Sequence, residues 1–180
     1  GVGIRIIRFD ADKGFLLNGK RGIVKGGCIH HDNGPLGAVA IYRAEERKIE
    51  LLKKVGYNAI RSSHNPPSQQ LLDACDRLGM LVIDEAFDMW NEPKTPYDYH
   101  LYFNSWWKKD LESMVLRDMN HPSIIMWSIC NEIHHREKPE VAVLSAKLVA
   151  EVHALDPGRP VTAAVNDISE NKDPFFSTLD

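Results

Sequence analysis

The chain has 180 residues, of which 43% are hydrophobic and 26% are charged, and its formal net charge is −3. This length is enough to bury one substantial hydrophobic core, and the composition is that of an ordinary globular domain. A slightly acidic chain has no basic field to attract phosphate groups, which argues against nucleic acid or anionic lipid as a partner. The apolar runs are much shorter than the roughly 20 residues of a membrane span.

The N-terminal residues 1–22 are predicted to form a short β-hairpin segment that leads into the main fold. Gly3–Phe9 is rich in β-branched residues, and the Asn18-Gly19 pair is typical of a tight turn between two antiparallel strands.

Residues 23–180 alternate between short apolar strands and amphipathic helices. The predicted strands are 23–28, 58–61, 81–84, 124–128 and 160–164, and the predicted helices are 44–55, 68–78, 106–117 and 140–155. Because the strands are continuously apolar, we expect a parallel sheet that is buried on both faces. Gly56 and Gly79 follow two of the helices directly and supply the left-handed residue that ends a helix.

Parallel strands that alternate with helices fit either a doubly wound open sheet or a (β/α)8 TIM barrel. No glycine-rich dinucleotide fingerprint follows the first strand, which disfavours the open sheet. Polar residues collect where the strands end, as they do in barrel enzymes: His30-His31-Asp32, 61–65, Asp84-Glu85 and Asn131-Glu132. A complete barrel needs about 250 residues. We therefore predict an α/β fold in which residues 23–180 form about five of the eight strands of an incomplete TIM barrel.

Glu132 is the strongest candidate for a chemical role. It follows an apolar strand and is preceded by Asn131, so we expect its carboxylate to emerge from the barrel core into a pocket of low dielectric. Burial raises the pKa of a carboxylate, as a general acid near neutral pH requires. The alternative is structural, with Glu132 pairing with an arginine or capping the next helix.

Three further groups of residues allow both a functional and a structural interpretation. His64 and His121 fit either pocket residues or structural histidines, and Asp84-Glu85 is expected to hold Arg61 or Arg117 in an ion pair. The pairs His30-His31 and His134-His135 lack the spacing of a zinc site, so no metal is predicted. Cys28, Cys75 and Cys130 are odd in number without a CxxC motif, and we expect each to be a small buried hydrophobe.

Five segments taken together resemble the catalytic domain of glycoside hydrolase family 2, and they lean towards its β-galactosidases. The segments are 15–19 (FLLNG), 58–67 (NAIRSSHNPP), 81–86 (LVIDEA), 117–123 (RDMNHPS) and 124–132 (IIMWSICNE). They occur in the order and spacing of the family and cover nearly the whole chain.

The resemblance implies a retaining glycosidase that cleaves terminal β-glycosidic bonds of a carbohydrate substrate. Glu132 matches the general acid/base and Asn131 the residue that contacts the 2-hydroxyl of the sugar. His64 and His121 match histidines that bind the glycone. In retaining enzymes a second carboxylate, about 5–5.5 Å away, attacks the anomeric carbon.

The sequence also departs from the pattern of the family. The family nucleophile lies at the end of the seventh strand, and only five strands are predicted here, so no residue is assigned that role and the chain alone is expected to be inactive. Met89 and Asn91 stand where some β-galactosidases bind magnesium through Glu and His, so no metal or cofactor is expected. Cys130 and Met119 replace the more usual Gly and Arg.

Two alternatives to an enzyme of this family stay open at the level of sequence. The first is a non-catalytic carbohydrate-binding or scaffold protein derived from the same fold, and the second is a different barrel enzyme. An incomplete barrel also exposes two strand edges, which predicts self-association. No signal-peptide pattern is found, although the resemblance to enzymes of polysaccharide-degrading bacteria favours export of a longer parent protein.

Overall fold

The computed structural model describes residues 4–167 and 174–180. The chain divides into two units. The first unit comprises Gly1–Ser63, Pro67–Ile83 and Asn120–Ile125, and the second comprises His64–Pro66, Asp84–Met119 and Met126–Asp180.

Within residues 4–167 and 174–180, eight strands and four α-helices follow one another. The strands are β1 (Ile7–Asp10), β2 (Gly14–Leu17), β3 (Lys20–Arg21), β4 (Gly26–His30), β5 (Ala59–Ser63), β6 (Leu81–Glu85), β7 (Ile124–Asn131) and β8 (Val161–Ala164). The helices are α1 (Tyr42–Lys54), α2 (Gln69–Leu78), α3 (His100–Asp118) and α4 (Pro139–Leu155). Among the described residues, no helix combines the length and the apolar character needed to cross a membrane.

The N-terminal strands form a small antiparallel sheet in the order β1-β2-β3. The predicted turn is confirmed, because Asn18 and Gly19 connect β2 to β3 with φ angles of 53° and 76°, as tight hairpin turns require. The structure adds a strand to the predicted hairpin. Asp10 makes this possible, because its carboxylate accepts hydrogen bonds from the backbone N–H groups of Asp12 and Lys13 and closes the turn between β1 and β2.

The remaining strands form a five-stranded sheet in the order β4-β5-β6-β7-β8, and its registered pairs are parallel. Each strand therefore pairs with the next along the chain. A doubly wound sheet reverses its strand order at a switch point, whereas a barrel adds strands in sequence. The predicted incomplete TIM barrel is confirmed.

Helix boundaries follow local hydrogen bonding. Ser68 caps α2 by accepting a bond from the N–H of Leu71, and Gly79 ends that helix in the left-handed conformation. Helix α3 begins six residues before the predicted start at Trp106. Asp98 explains the difference, because its carboxylate accepts bonds from the backbone N–H and the ring of His100. A side-chain acceptor just before a helix stabilises its first turn.

Strand β7 is held by two buried tryptophans of the second unit. The indole N–H of Trp90 donates to the carbonyl of Ile129 at 3.0 Å. The indole N–H of Trp127, within the strand, donates to Asp156 Oδ2 at 3.0 Å. Both rings are fully buried, and each polar tip has a partner, as buried indoles generally do. The strand that carries Asn131 is thus rigidly supported.

The three cysteines differ from one another in burial. Cys75 and Cys130 are buried as predicted, and burial raises the pKa of the Cys75 thiol. Cys28 is exposed, which corrects the prediction for that residue. Its strand register places it beside Arg61, which pairs in turn with Ile83. These three residues line an open cleft of about 250 Å³ in the first unit, so this face of the sheet is solvent-accessible.

Candidate active site

A buried carboxylate, Glu85 at the end of β6, organises the polar residues of the second unit. Its Oε1 atom lies 2.7 Å from Nδ1 of His64, and its Oε2 atom accepts a 2.7 Å bond from the hydroxyl of Ser128. The side chain of Glu85 is fully buried. A carboxylate acceptor at Nδ1 favours the hydrogen on that nitrogen and fixes the ring orientation, so Nε2 of His64 faces away from Glu85.

The structure gives Glu85 two partners that the sequence did not predict. Glu85 binds His64 and Ser128. Arg117 pairs with Asp118 through two bonds of 2.6 Å. That hydrogen bonding, followed by the charges of Asp118 and Asp84, raises the pKa of Arg117 against the effect of burial. The charge of Asp84 acting on Arg117 agrees with the expected pairing.

Strand β7 contains an irregularity just before its functional end. Ser128 pairs with Thr162, but Asn131 pairs with Ala164, so β7 has one residue more than β8 between these pairs. An extra residue of this kind is a β-bulge, which redirects the side chains that follow it. Directly after it, Glu132 adopts a φ of 47°, and its N–H donates to the carbonyl of Ala164 at 2.7 Å. A positive φ is rare for residues other than glycine and tends to occur at functional sites.

Asn131 is bound at its side chain and at both backbone polar groups. Its Nδ2 atom donates to Asp88 Oδ1 at 3.0 Å, and its N–H donates to the carbonyl of Phe87 at 3.0 Å. Its carbonyl accepts a 2.8 Å bond from Nζ of Lys94, which also lies 2.7 Å from Asp88 Oδ1. Asp88, Lys94 and Asn131 thus form one closed network.

Asp88 is held as a carboxylate within this network. Partial burial by itself raises the pKa of Asp88, but hydrogen bonds from Lys94 and Asn131 outweigh it, and the charges of Lys94 and His64 act in the same direction. The net effect is a lowered pKa. At neutral pH the network therefore contains an anion, which accepts hydrogen bonds but cannot donate them.

The Glu132 side chain is exposed, which corrects the expected burial of this carboxylate in a low-dielectric pocket. Its backbone is fixed at the strand end, but none of the described residues encloses the carboxylate. Burial of the Glu132 carboxylate would therefore require further parts of a barrel.

A cleft of about 440 Å³ in the second unit adjoins this network, and Glu132 is not among its lining residues. Its polar lining includes His64, Asn65, Asp88, Tyr99, Asp110 and Arg117. Burial and a hydrogen bond to Asp110 raise the pKa of Tyr99, which keeps its hydroxyl protonated. The volume is in the range of small-molecule sites.

His121 is not brought to the carboxyl ends of the strands. It precedes the amino end of β7, whereas Glu132 follows the carboxyl end of that eight-residue strand. Its Nδ1 atom lies 2.7 Å from Asp76 Oδ2, and Asp76 Oδ1 accepts the N–H of Ser123. This position favours the structural interpretation, in which His121 fixes the loop before β7.

One group of three potential metal ligands occurs among the described residues, Asp73, Asp76 and His121 of the first unit. Both oxygens of Asp76 already accept hydrogen bonds, from His121 and Ser123, so hydrogen bonding accounts for this arrangement. Met89, at a position where some β-galactosidases have a metal ligand, is buried. A thioether does not suit a hard cation such as magnesium.

Sequence reasoning missed Asp88, Lys94 and Ser128. Asp88 carried a usable signal, because it lies three residues beyond the end of β6, where barrel enzymes place polar groups. Lys94 carried none, since its contact with Asn131 spans 37 residues.

Parallel strands in sequential order, with His64, Glu85, Asn131 and Glu132 at or just beyond their carboxyl ends, define the active-site face of a TIM-barrel enzyme. Residues 10–178 match the family described as "Glycosyl hydrolases family 2, TIM barrel domain", and the chain belongs to this family.

Solved and curated relatives agree with this assignment. The chain superimposes with a TM-score of 0.97 and 61% identity on a glycosyl hydrolase family 2 member from Bacteroides cellulosilyticus, covering 99% of this chain and 23% of that one. It is 44% identical to the β-galactosidase BoGH2A of Bacteroides ovatus over 98% of this chain and 24% of the relative. It is 34% identical to the β-glucuronidase of Canis lupus familiaris over 92% of this chain and 25% of the relative. The chain thus spans about a quarter of the length of these relatives.

Proposed function

We propose that this chain is part of a retaining glycoside hydrolase that cleaves terminal β-glycosidic bonds, with Glu132 as its general acid/base. The observation that carries the proposal is the backbone of Glu132, held at a φ of 47° at the end of β7 beside an immobilised Asn131. A carboxylate fixed at a strand end, next to an amide that can bind a hydroxyl, suits proton transfer to a glycosidic oxygen.

In the first step, the Glu132 carboxyl group gives its proton to the leaving oxygen as the bond between that oxygen and the anomeric carbon breaks. A second carboxylate forms a bond to the same carbon. In the second step, Glu132 removes a proton from water, and the water oxygen displaces that carboxylate. Glu132 ends the cycle protonated, so protons balance over one turnover.

We assign the attacking carboxylate to no residue of this chain. Glu85 is the obvious internal candidate, but both of its oxygens accept hydrogen bonds, from His64 and Ser128, and its side chain is fully buried. A carboxylate engaged in this way is a poor nucleophile. The resemblance implies a nucleophile on a later strand of a longer protein.

His64 and Asn131 are proposed to bind the sugar. Glu85 fixes the ring of His64 from the Nδ1 side, and Nε2, which faces away from Glu85, is the atom proposed to bind a sugar hydroxyl. Asn131 is proposed to contact the 2-hydroxyl. His121 is left out of this set because it lies before the amino end of β7.

β-Galactosides are the proposed substrates, and β-glucuronides are the second candidate. The relative named as a β-galactosidase is 44% identical to this chain, whereas the β-glucuronidases of mammals are 34% identical. The higher identity favours the galactoside. Aryl β-galactoside and aryl β-glucuronide assayed side by side distinguish these glycones.

The test compares the 180-residue chain with the longer protein that contains it, using an aryl β-galactoside. We expect an active longer protein, an inactive chain, and a loss of at least about 100-fold when Glu132→Gln is introduced. Glu137→Gln is the matched control, because Glu137 is exposed in the loop that follows. An unchanged rate in Glu132→Gln would refute the acid/base assignment. Activity of the 180-residue chain alone would mean that the nucleophile is a residue of this chain.

We also propose that the isolated chain self-associates. Strands β4 and β8 each have a single neighbour in the sheet among the described residues, and unpaired strand edges promote association. Sedimentation should detect oligomers of the chain, while a monomer that melts cooperatively at high temperature would contradict this.

A further inference from the structure

We propose that Asp88 and Lys94 are positioning residues that together fix the orientation of the Asn131 amide and of the Asn131–Glu132 peptide. This inference rests on the proposed function, since it concerns how the same site holds its sugar-binding amide and its acid/base. Neither residue is assigned to contact the substrate.

The Asn131–Glu132 peptide group is held at both of its polar atoms. Its carbonyl oxygen accepts the Nζ of Lys94 at 2.8 Å, and its N–H donates to the carbonyl of Ala164 at 2.7 Å. The next torsion along the chain is the φ of Glu132, at 47°. A residue with a side chain adopts positive φ at an energetic cost, and it relaxes unless the surrounding contacts determine its backbone. Lys94 provides one of the two contacts that do so here.

Asp88 determines which end of the Asn131 amide faces it. An amide side chain can rotate by 180° about its last bond and exchange its donor and acceptor ends. The Asp88 carboxylate only accepts hydrogen bonds, so it requires Nδ2 on its side, at 3.0 Å. The acceptor Oδ1 is thereby fixed at the end of the amide that faces away from Asp88, and this is the end that the proposed function assigns to the 2-hydroxyl.

Lys94 itself is held in place by the loop between β6 and α3. Its backbone N–H donates to Asp98 Oδ2 at 2.8 Å, and the N–H of Thr95 donates to the same oxygen at 2.6 Å. The side chain is only about 20% exposed. A lysine with a fixed backbone and a partly buried, paired ammonium group loses little freedom when it binds Asn131, so it acts as a rigid support.

Lys94 and Asp88 affect the reaction by holding Asn131 and Glu132 in position. Hydrogen bonds to the 2-hydroxyl strengthen in the transition state of glycoside hydrolysis, and a misplacement of about 1 Å can lower a rate about 100-fold. Removal of Lys94 should therefore reduce kcat more than it raises KM. The reduction should be largest for substrates that carry the 2-hydroxyl.

The kinetic experiment uses the full-length protein with an aryl β-galactoside and its 2-deoxy counterpart. Lys94→Met keeps the length of the side chain but cannot donate, and we expect kcat on the 2-hydroxyl substrate to fall about 10- to 100-fold. With the 2-deoxy substrate, the fold reduction in kcat should be at least five times smaller. Lys94→Arg should recover part of the rate, because it restores a cationic donor. The control is Lys109→Met, at an exposed lysine over the ring of Trp106, and we expect it to leave kcat unchanged.

A second readout does not depend on turnover. Hydrogen exchange of a peptide spanning residues 126–135 should be faster in Lys94→Met and in Asp88→Asn than in Lys109→Met, because the contact that holds the strand end is lost. Unchanged exchange, or an equal kinetic loss on both substrates, would overturn the positioning role. If the wild-type protein hydrolyses no aryl β-glycoside, the proposed function fails, and the exchange rates still decide whether Lys94 and Asp88 position the strand end.

Discussion

Nδ1 of His64 and Oε1 of Glu85 lie 2.7 Å apart, and the second oxygen of the same carboxylate accepts the hydroxyl of Ser128 at 2.7 Å. One fully buried carboxylate thus connects the residue that follows β5 with the interior of β7. A buried carboxylate must have its hydrogen bonds satisfied, and here this requirement also fixes the direction of the imidazole.

Glu85→Gln is expected to weaken glycone binding. The change preserves size but replaces one acceptor oxygen with an NH2 donor, so the bond to His64 or to Ser128 is lost. We expect KM to rise about tenfold, which corresponds to roughly 1.4 kcal/mol. The measurement is the steady-state kinetics of the full-length protein, with Glu92→Gln at an exposed position as the control. Unaltered KM in Glu85→Gln would show that the ring of His64 is oriented by other contacts.

Gly26→Ala is expected to destabilise the start of the parallel sheet. A Cβ atom at Gly26 would lie 2.2 Å from the carbonyl oxygen of Ala59, so the backbone of β4 or β5 would have to move. At the adjacent Gly27, the nearest atom would be 3.7 Å away, on the ring of Tyr57. We expect Gly26→Ala to lower the free energy of unfolding by about 3 kcal/mol and Gly27→Ala to change it by less than about 1 kcal/mol. Urea unfolding measures the free energy of unfolding of both variants. Equal losses in the two variants would contradict the close approach of Gly26 to the carbonyl oxygen of Ala59.

Asp156 is expected to make stability depend on pH. Burial alone raises the pKa of Asp156, but hydrogen bonds from Arg159 and Trp127, the charge of Arg159 and the N–H of Gly158 outweigh it and lower the pKa. A lowered folded-state pKa stabilises the protein above the unfolded value of about 3.9, and that contribution is lost as the pH falls through the folded value. Asp156→Asn should therefore cost about 3 kcal/mol at pH 7.

The same difference between wild type and Asp156→Asn should be smaller at about pH 3, because the carboxylate of the unfolded wild-type chain, with a pKa of about 3.9, is mostly protonated there. Unfolding free energies of both proteins at the two pH values provide the measurement. If the difference in unfolding free energy between the two proteins is the same at both pH values, packing around Asp156, rather than its charge, provides the stabilisation.

Cys28 is expected to be the one rapidly reacting thiol of the 180-residue chain. Cys75 and Cys130 are buried, and burial raises the pKa of the Cys75 thiol, so little of the reactive thiolate forms there. A thiol reagent should modify one cysteine per chain quickly and the others only after denaturation. Cys28→Ser should abolish the fast phase. Rapid modification of a second cysteine would contradict the burial described here.

Helices and strands were largely predictable from the sequence because they depend on local patterns. Ser68 and Gly79 mark the ends of α2 as expected. The errors have identifiable causes. Helix α3 starts earlier than predicted because Asp98 binds its first turn. Strand β7 extends to Asn131, beyond the predicted end at Ser128, because the bulge lets it continue pairing with β8.

The candidate site was only partly predictable. A strand that ends in Asn131-Glu132, and polar residues such as His64 after another strand, indicated where chemistry belongs. His121 received the same two interpretations as His64, although it precedes the predicted strand 124–128, because the resemblance matched both histidines to residues that bind the glycone. The structure places His121 before β7, bound to Asp76.

The order of the elements, the parallel sheet and the family could all be predicted from the sequence, because hydrophobic periodicity, helix-ending glycines and strand-end motifs are properties of neighbouring residues. The partners of the polar groups could not be predicted, because they depend on the three-dimensional fold. Glu85 binds His64 and Ser128 across 21 and 43 residues, and Lys94 reaches Asn131 across 37. A buried polar group takes whichever partner the fold brings within about 3 Å. That distance follows from the packing of strands and loops, and no local pattern encodes it.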